Sequence, residues 1–207
     1  MKFHKISIVF LFLLIITMGV ACAEDANQTV SDILELDDTQ DIISDTPELS
    51  YDDLSKKINE SSDSITLESD YKYKDTDSVK KIEFTNRVLT IDGNNHAIDA
   101  DGKAAIFKVN GGNITLKNLV LKNTHDTAIQ LQNCILNTFN ITFINDHSMD
   151  NGGAVYASNS TYYSTNDKFT DNSAKDMGSA LFASSSRIHI ENATFTNKNP
   201  IRWGSDL

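Results

Sequence analysis

A short segment near the C-terminal end of this chain occurs twice, and this repeat limits the fold more than any other feature. Residues 152–158 read GGAVYAS, and residues 178–184, 26 positions later, read GSALFAS. A second motif recurs with the same spacing of 26 residues, beginning at Asn140, Asn166 and Asn192. One more copy begins at Asn118, which lies 22 residues before Asn140. One structural unit is therefore stacked several times along the chain.

The aligned copies separate inward from outward positions. In the first strand of each copy, one apolar column contains Ile129, Val155 and Leu181, and the neighbouring column contains Gln130, Tyr156 and Phe182. Side chains alternate between the two faces of a strand, so the first column is predicted to face the interior and the second the solvent. The second and third strands add two more inward columns: Ile114, Leu136, Tyr162 and Ile188, then Leu121, Phe143, Phe169 and Phe195.

The asparagines that begin the second motif are predicted to point inward at a bend. There, their side chains would satisfy backbone N–H groups that are otherwise buried without a partner. A second polar column is formed by Asn123, Asn145, Asp171 and Asn197.

Three short strands in each repeat, aligned with their equivalents one repeat later, are typical of a parallel β-helix with strands about 4.8 Å apart. The competing all-β fold, a β-sandwich, has short strands that do not recur in register every 22 to 26 residues. We therefore predict an all-β, single-stranded parallel β-helix of about five to six coils over residues 65–207.

The N-terminus has the pattern of a secretory signal peptide. Lys2 and Lys5 precede an apolar run over residues 6–20, which ends in the small residues Ala21-Cys22-Ala23. About 15 apolar residues are fewer than the roughly 20 of a membrane-spanning helix, and a lipoprotein signal at Cys22 is the other alternative. We predict cleavage after Ala23 and a secreted or cell-surface protein.

Cleavage would leave 16 basic and 29 acidic residues, a net charge of −13, because it removes two lysines and no acid. Such a chain repels phosphates and anionic lipids, so nucleic acid is not expected as a partner. No membrane-spanning segment is expected in the mature chain. Cys134 would be its one cysteine, which excludes an intramolecular disulfide.

Two segments precede the predicted β-helix. Residues 24–49 contain nine acidic side chains and no Lys or Arg, a composition typical of a disordered linker. Residues 50–64 place acids early, lysines late, and Leu54 and Ile58 one helical turn apart. This pattern predicts a short amphipathic helix, which would cap the apolar end of the β-helix.

Several stretches resemble known repeat proteins. Residues 152–155 (GGAV) and 169–172 (FTDN) resemble the paired GGA[ILV] and FxxN motifs of the polymorphic outer membrane protein repeat. Residues 91–99 (IDGNNHAID) and 113–119 (NITLKNL) resemble the adhesin-like proteins of methanogenic archaea. The resemblance covers roughly residues 50–203, and it implies an exported, right-handed parallel β-helix displayed at the cell surface.

From the resemblance and the outward column, we predict a binding protein and not an enzyme, with extracellular glycans or cell-surface molecules as partners and no cofactor. Tyr156 and Phe182 point outward in adjacent coils, beside Gln130 one coil earlier, and exposed stacked aromatic rings can hold a sugar. The alternative is that a loop covers these rings.

The other hypothesis is a carbohydrate-active enzyme, a polysaccharide lyase or glycoside hydrolase, or its inactive truncated remnant. Such chemistry needs carboxylates clustered on one outer face, and the candidates lie between strands: His125, Asp126, Asp146, His147 and Asp150. The segment Asp99-Ala100-Asp101-Gly102, preceded by Asp92, resembles a calcium loop but lacks further ligands. A plain turn explains it equally well, so no metal site is predicted.

Six Asn-x-Ser/Thr sequons occur, at Asn27, Asn59, Asn113, Asn140, Asn159 and Asn192. We predict Asn27 and Asn159 as candidates for glycosylation. Asn140 and Asn192 are predicted to stay unmodified because the repeat alignment makes them inward.

Overall fold

The computed structural model describes residues 48–196, which form a parallel β-solenoid of about six coils. The predicted signal peptide, most of the predicted linker and Asn27 lie outside the described residues. The described part contains one helix, α1 (Tyr51–Asn59). Its strands are β1 (Leu49–Ser50), β2 (Ser64–Thr66), β3 (Tyr71–Lys72), β4 (Ile82–Asp92), β5 (Ala97–Asp99), β6 (Phe107–Lys122), β7 (Ile129–Gln132), β8 (Ile135–Ile144), β9 (His147–Ser148), β10 (Val155–Ser158), β11 (Thr161–Thr165), β12 (Lys168–Thr170), β13 (Ser173–Ala174), β14 (Leu181–Ser184), β15 (Arg187–Glu191) and β16 (Thr194–Thr196).

Each complete coil has three faces, and every strand pairs in parallel with its equivalent in the next coil. The first face contains β7, β10 and β14 together with the beginnings of β4 and β6. The second face runs through the middle of β6, the first half of β8, then β11 and β15. The third face contains β5, the ends of β6 and β8, then β12 and β16. The predicted all-β parallel architecture is therefore confirmed.

The strand registers match the repeat alignment. Val155 pairs with Ile129 and Leu181 on the first face, and all three side chains are buried. Tyr162 lies between Leu136 and Ile188 on the second face. Period-2 alternation within each strand therefore assigned the inside of the solenoid correctly.

Phenylalanines of the third face form a continuous stack in the interior. The Phe143 and Phe169 rings are 4.8 Å apart and 4° from parallel, and the Phe169 and Phe195 rings are 4.6 Å apart and 3° from parallel. These distances match the spacing of about 4.8 Å between paired strands, so identical side chains in successive coils are brought into face-to-face contact. Phe169 is completely buried between its two neighbours.

The second motif's asparagines lie at the bend between the second and third faces, but the prediction that they point inward is wrong. Asn140, Asn166 and Asn192 are exposed, and all three have the left-handed backbone conformation, with φ between 54° and 58°. Asparagine tolerates this conformation better than most residues. The Asn140 amide donates a 3.0 Å hydrogen bond to the Asn118 side chain in the preceding coil. The structure therefore removes the reason for excluding Asn140 and Asn192 from modification.

At the bends that follow, the residue after the left-handed one points inward instead. Asp167 follows Asn166, is buried, and accepts a 2.8 Å hydrogen bond from the Ile141 N–H of the preceding coil. At the next bend, Asp146 accepts from the Thr124 N–H at 3.3 Å, and Asn172 accepts from the Asp146 N–H at 3.0 Å. The predicted satisfaction of buried turn amides therefore occurs, one position later in the sequence than expected.

Helix α1 begins with a capping box in which Ser50 and Asp53 exchange hydrogen bonds between side chain and backbone. Its buried residues Tyr51, Leu54 and Ile58 belong to the same hydrophobic cluster as the strand interiors. At its other end, the Arg87 guanidinium donates to the carbonyl groups of Ile58 and Ser61. The helix is therefore held to the solenoid by apolar packing and by hydrogen bonds at its C-terminus.

The phenylalanine stack gives a prediction for stability. Phe169→Ala would leave a cavity between Phe143 and Phe195, and we expect the free energy of unfolding to fall by about 3–5 kcal/mol. Chemical denaturation monitored by circular dichroism measures this change. Lys168→Ala is the control, because Lys168 is exposed beside the stack, and its effect should stay within about 0.5 kcal/mol. Equal effects of the two substitutions would contradict the proposed role of the stack.

Candidate functional site

A column of outward side chains runs along the first face of the solenoid. The strand registers place these residues in successive coils, in the order Glu83, Lys108, Gln130, Tyr156 and Phe182. Tyr156, Phe182 and Gln130 are half-buried and lie on the outer surface. The column changes along the axis from charged groups through an amide to two aromatic rings.

The two aromatic rings of this column are in stacking contact. The Tyr156 and Phe182 rings stack with their centroids 5.5 Å apart and an angle of 18° between their planes. Gln130, one coil earlier, carries an amide in place of a third ring. Space for a ligand therefore exists on the Gln130 side of Tyr156, where no aromatic side chain continues the stack.

A groove of about 400 Å³ occupies this space, which is within the size range of small-molecule sites. Tyr156 lines the groove, whereas Phe182 does not. The remaining lining residues come from the column and from the loops beside it: Lys108, Asp126, Thr127, Gln130, Leu131, Gln132, Ser148, Asp150, Asn151 and Ser158. We refer to this site as the outer groove. Tyr156 is half-buried at the groove, so residues 48–196 do not cover it completely.

Buried hydroxyl groups hold one wall of the outer groove in place. The Thr127 hydroxyl donates to Ser148 Oγ at 3.1 Å, and its oxygen lies 3.2 Å from the Asn151 carbonyl oxygen. The Ser148 hydroxyl donates to the same carbonyl at 3.1 Å. The loop from Ser148 to Asn151 is therefore attached to the preceding coil, and the groove is formed before any ligand binds.

The backbone conformation explains why both copies of the repeated segment begin with glycine. Gly152 has φ of +66°, and a Cβ atom there would lie 2.5 Å from the Val155 carbonyl oxygen. Gly178, its equivalent in the next coil, has φ of +67° and meets the Leu181 carbonyl oxygen at 2.1 Å. Only glycine fits these turns without strain, and the turns direct Tyr156 and Phe182 to the outer surface.

The structure separates the five predicted acid and histidine candidates. Asp126 and Asp150 both line the outer groove, whereas Asp146 is completely buried inside the solenoid. His125 and His147 stand 6.5 Å apart between ring centroids, and neither lines the groove. The expectation of one outer cluster is therefore wrong for Asp146, because its position next to a left-handed bend residue turns its side chain inward.

Polar contacts inside the groove orient Asp126. Its Oδ1 accepts the Thr127 N–H at 2.8 Å, and its Oδ2 accepts the Gln130 amide at 3.1 Å. The side-chain oxygen Oδ1 of Asn151 is buried and has no hydrogen-bond partner among the described residues. Such an acceptor is costly to leave unpaired, and it lies on a residue that lines the groove.

Lys108, Ser148 and Asn151 line the outer groove but were not predicted as site residues. The sequence does contain a pattern that places Lys108 in the outward column. Residues 107–109 (FKV), one coil before residues 129–131 (IQL), show the same alternation of apolar and polar side chains. Ser148 and Asn151 lie in a segment that is longer than its equivalent in the preceding coil. Aligning the repeats of the sequence therefore could not assign these two residues to the groove.

The predicted calcium-like segment forms ordinary turns. Asp99 Oδ1 accepts the Asp101 N–H at 2.9 Å, and Asp92 Oδ1 accepts the Asn94 N–H at 3.0 Å. Asp101 forms ion pairs with Lys72 and Lys103 at 3.1 and 2.9 Å. Within residues 48–196, no group of three or more His, Cys, Asp or Glu side chains could hold a metal ion.

Cys134 is a free thiol in the interior, 3.6 Å from the Val109 carbonyl oxygen and 3.6 Å from Ser160 Oγ. Burial raises the pKa of this thiol. Ser160 and the exposed Asn159 belong to the same predicted sequon. The Asn159 amide donates to the Asn133 side chain at 2.6 Å, so this candidate lies on the surface within a hydrogen-bonded asparagine pair.

Comparison with family models, curated proteins and solved structures finds no match to this chain. The resemblance to adhesin-like repeats therefore stays a prediction. Among the described residues, no helix has both the length and the apolar character needed to cross a membrane.

Asp146 gives a prediction for pH dependence. Burial is the main reason why the pKa of Asp146 lies well above its usual value; a nearby Asp99 charge adds to the shift, and hydrogen bonds from Thr124 oppose it. The folded protein thus retains a proton that the unfolded chain releases, so this residue's contribution to stability is lost as pH rises above about 4. Asp146→Asn keeps an acceptor for the Thr124 N–H and carries no charge. We expect this variant to lose less stability than the unmodified protein between about pH 4 and pH 8.

Urea denaturation at several pH values measures the difference. Asp176→Asn serves as the control because Asp176 is exposed, and its stability should follow the pH dependence of the unmodified protein. Parallel pH profiles for Asp146→Asn and the unmodified protein would contradict the assignment.

Proposed function

We propose that this protein is an exported, adhesin-like β-solenoid that binds glycans in the outer groove. The observation that carries the proposal is the open side of the Tyr156 ring, which lies beside a preformed groove rich in hydrogen-bonding groups. Sugars present apolar C–H faces and several hydroxyl groups, and proteins recognise these with aromatic rings and with carboxylate and amide side chains.

We also propose that the solenoid is right-handed and that α1 caps its N-terminal end. The buried side chains Tyr51, Leu54 and Ile58 support the cap, because they continue the apolar interior beyond the first strands. A cap of this kind would shield unpaired strand edges from other chains. Export and display at the cell surface rest on the signal-peptide pattern over residues 1–23 and on the repeat resemblance.

A second candidate function is glycoside hydrolysis in the same groove. It is favoured by one observation, that two carboxylic acids, Asp126 and Asp150, line the outer groove together. Glycosidases use paired carboxyl groups as acid, base or nucleophile. An assay for the release of reducing ends separates this function from binding, because a binding protein releases none.

The binding proposal predicts the effect of removing the ring. We expect Tyr156→Ala to weaken glycan affinity by about 1 kcal/mol, or roughly 5-fold, because the substitution removes the platform for a sugar ring. The test is a glycan array with the protein lacking residues 1–23, followed by calorimetric titration of the best oligosaccharide.

Tyr163→Ala is a matched control for this experiment. Tyr163 belongs to the same coil as Tyr156, is 41% exposed, and stacks on His189 on the second face, away from the outer groove. Its removal should leave glycan affinity unchanged. If no glycan binds, or if both tyrosine variants weaken binding equally, the outer groove is not the glycan site.

A further inference from the structure

The charges that line the outer groove are mainly acidic. Asp126 and Asp150 face a single basic residue, Lys108. The Lys108 ammonium lies 3.9 Å from a carboxylate oxygen of Glu83, its neighbour in the outward column. The one cation of the groove is thus already paired, and the two aspartates set the sign of the field there.

Within the described residues, neither aspartate forms an ion pair with a cation. Asp126 accepts hydrogen bonds from the neutral Thr127 N–H and Gln130 amide. The Asp150 side chain is exposed, and within residues 48–196 it forms neither a hydrogen bond nor an ion pair. An anionic ligand would meet like charge in the groove, which is unfavourable, whereas a cationic ligand would meet two carboxylates that form no ion pair with residues 48–196.

Tyr156 adds a second attraction for positive charge. The face of an aromatic ring carries negative potential, and an ammonium group within about 6 Å of a ring is stabilised by it. The ring also packs on the C–H face of a sugar. A sugar that carries a protonated amine therefore satisfies the ring and the carboxylates at once.

We infer that the outer groove selects oligosaccharides of amino sugars with free amines over neutral, N-acetylated and uronic acid oligosaccharides. This inference rests on the proposed glycan-binding function and adds the chemical class of the ligand. Asp150 and Asp126 would accept the ammonium hydrogens, and Tyr156 would pack on the ring that carries the amine. Acetylation removes the charge and adds bulk, so it would abolish the preference.

The test compares four tetrasaccharides by calorimetric titration: β-1,4-linked glucosamine, N-acetylglucosamine and glucose, and α-1,4-linked galacturonic acid. Exposed ion pairs contribute up to about 1 kcal/mol each, so we expect glucosamine to bind about 3- to 10-fold more tightly than glucose, and galacturonic acid to bind least. The preference should shrink as salt is added, and also as pH is raised until the amines lose their protons.

A matched pair of variants separates a specific site from general attraction between an acidic protein and a polycation. Asp176 occupies the position equivalent to Asp150 one coil later, is exposed, and does not line the groove. Asp150→Asn and Asp176→Asn each remove one negative charge. We expect the ratio of glucosamine to glucose affinity to fall in Asp150→Asn and to stay unchanged in Asp176→Asn.

Each other outcome overturns the inference in a recognisable way. Equal affinity for the glucosamine and glucose tetramers, or an equal fall of the ratio in both variants, overturns amine selection and leaves glycan binding intact. Tightest binding of galacturonic acid overturns the charge argument in the same way. The absence of binding to all four tetrasaccharides and to the glycan array overturns the proposed function together with the inference.

Discussion

The hydrogen bond donated by the inward N–H after each bend is the interaction on which the rest of this solenoid depends. A left-handed residue turns the chain between two faces, and the next residue then directs its N–H toward an interior that offers no water. In this protein a buried side chain of the following coil accepts that hydrogen: Asp146 for Thr124, Asp167 for Ile141, and Ser160 for Cys134. These three bends are thus completed by the coil stacked on them, so a single coil would leave the three N–H groups without their acceptors.

This dependence explains the strict register of the stack. A shift of one residue between coils would remove the acceptor from each inward N–H and would turn apolar columns outward at the same time. The asparagine pairs on the outside, such as Asn123 with Asn145 at 2.9 Å, strengthen the same register from the solvent side. The phenylalanine stack in the interior then follows from the register, because equivalent residues of adjacent coils are brought to the distance at which rings pack face to face.

Much of this fold could be predicted from the sequence because it repeats. Inward and outward positions within strands follow from alternation, which placed Tyr156 on the surface and Phe169 inside. At the bends, alternation fails: a left-handed residue breaks the period of two, so Asn140 turned out exposed and the next position inward. The same break explains Asp146, which was expected beside Asp150 on the surface. Asp126, Tyr156 and Gln130 of the groove were predicted from the sequence, whereas Ser148 and Asn151 were not, since they lie in a segment that is longer than its equivalent in the preceding coil.

The outer groove itself results from a change in repeat length. The segment between the third and first faces covers residues 123–128 in one coil and residues 145–154 in the next. The longer segment lines the groove with Ser148, Asp150 and Asn151, and the shorter one lines it with Asp126 and Thr127. The recess lies between these two segments. One coil further on, residues 171–180 have the same length as residues 145–154, and Phe182 fills the equivalent space next to Tyr156. A uniform repeat would therefore stack ring on ring without a recess. The recess depends on the change in segment length and on Gln130 standing where the next coils have aromatic rings. The position of the proposed binding site is therefore set by where the repeat is irregular.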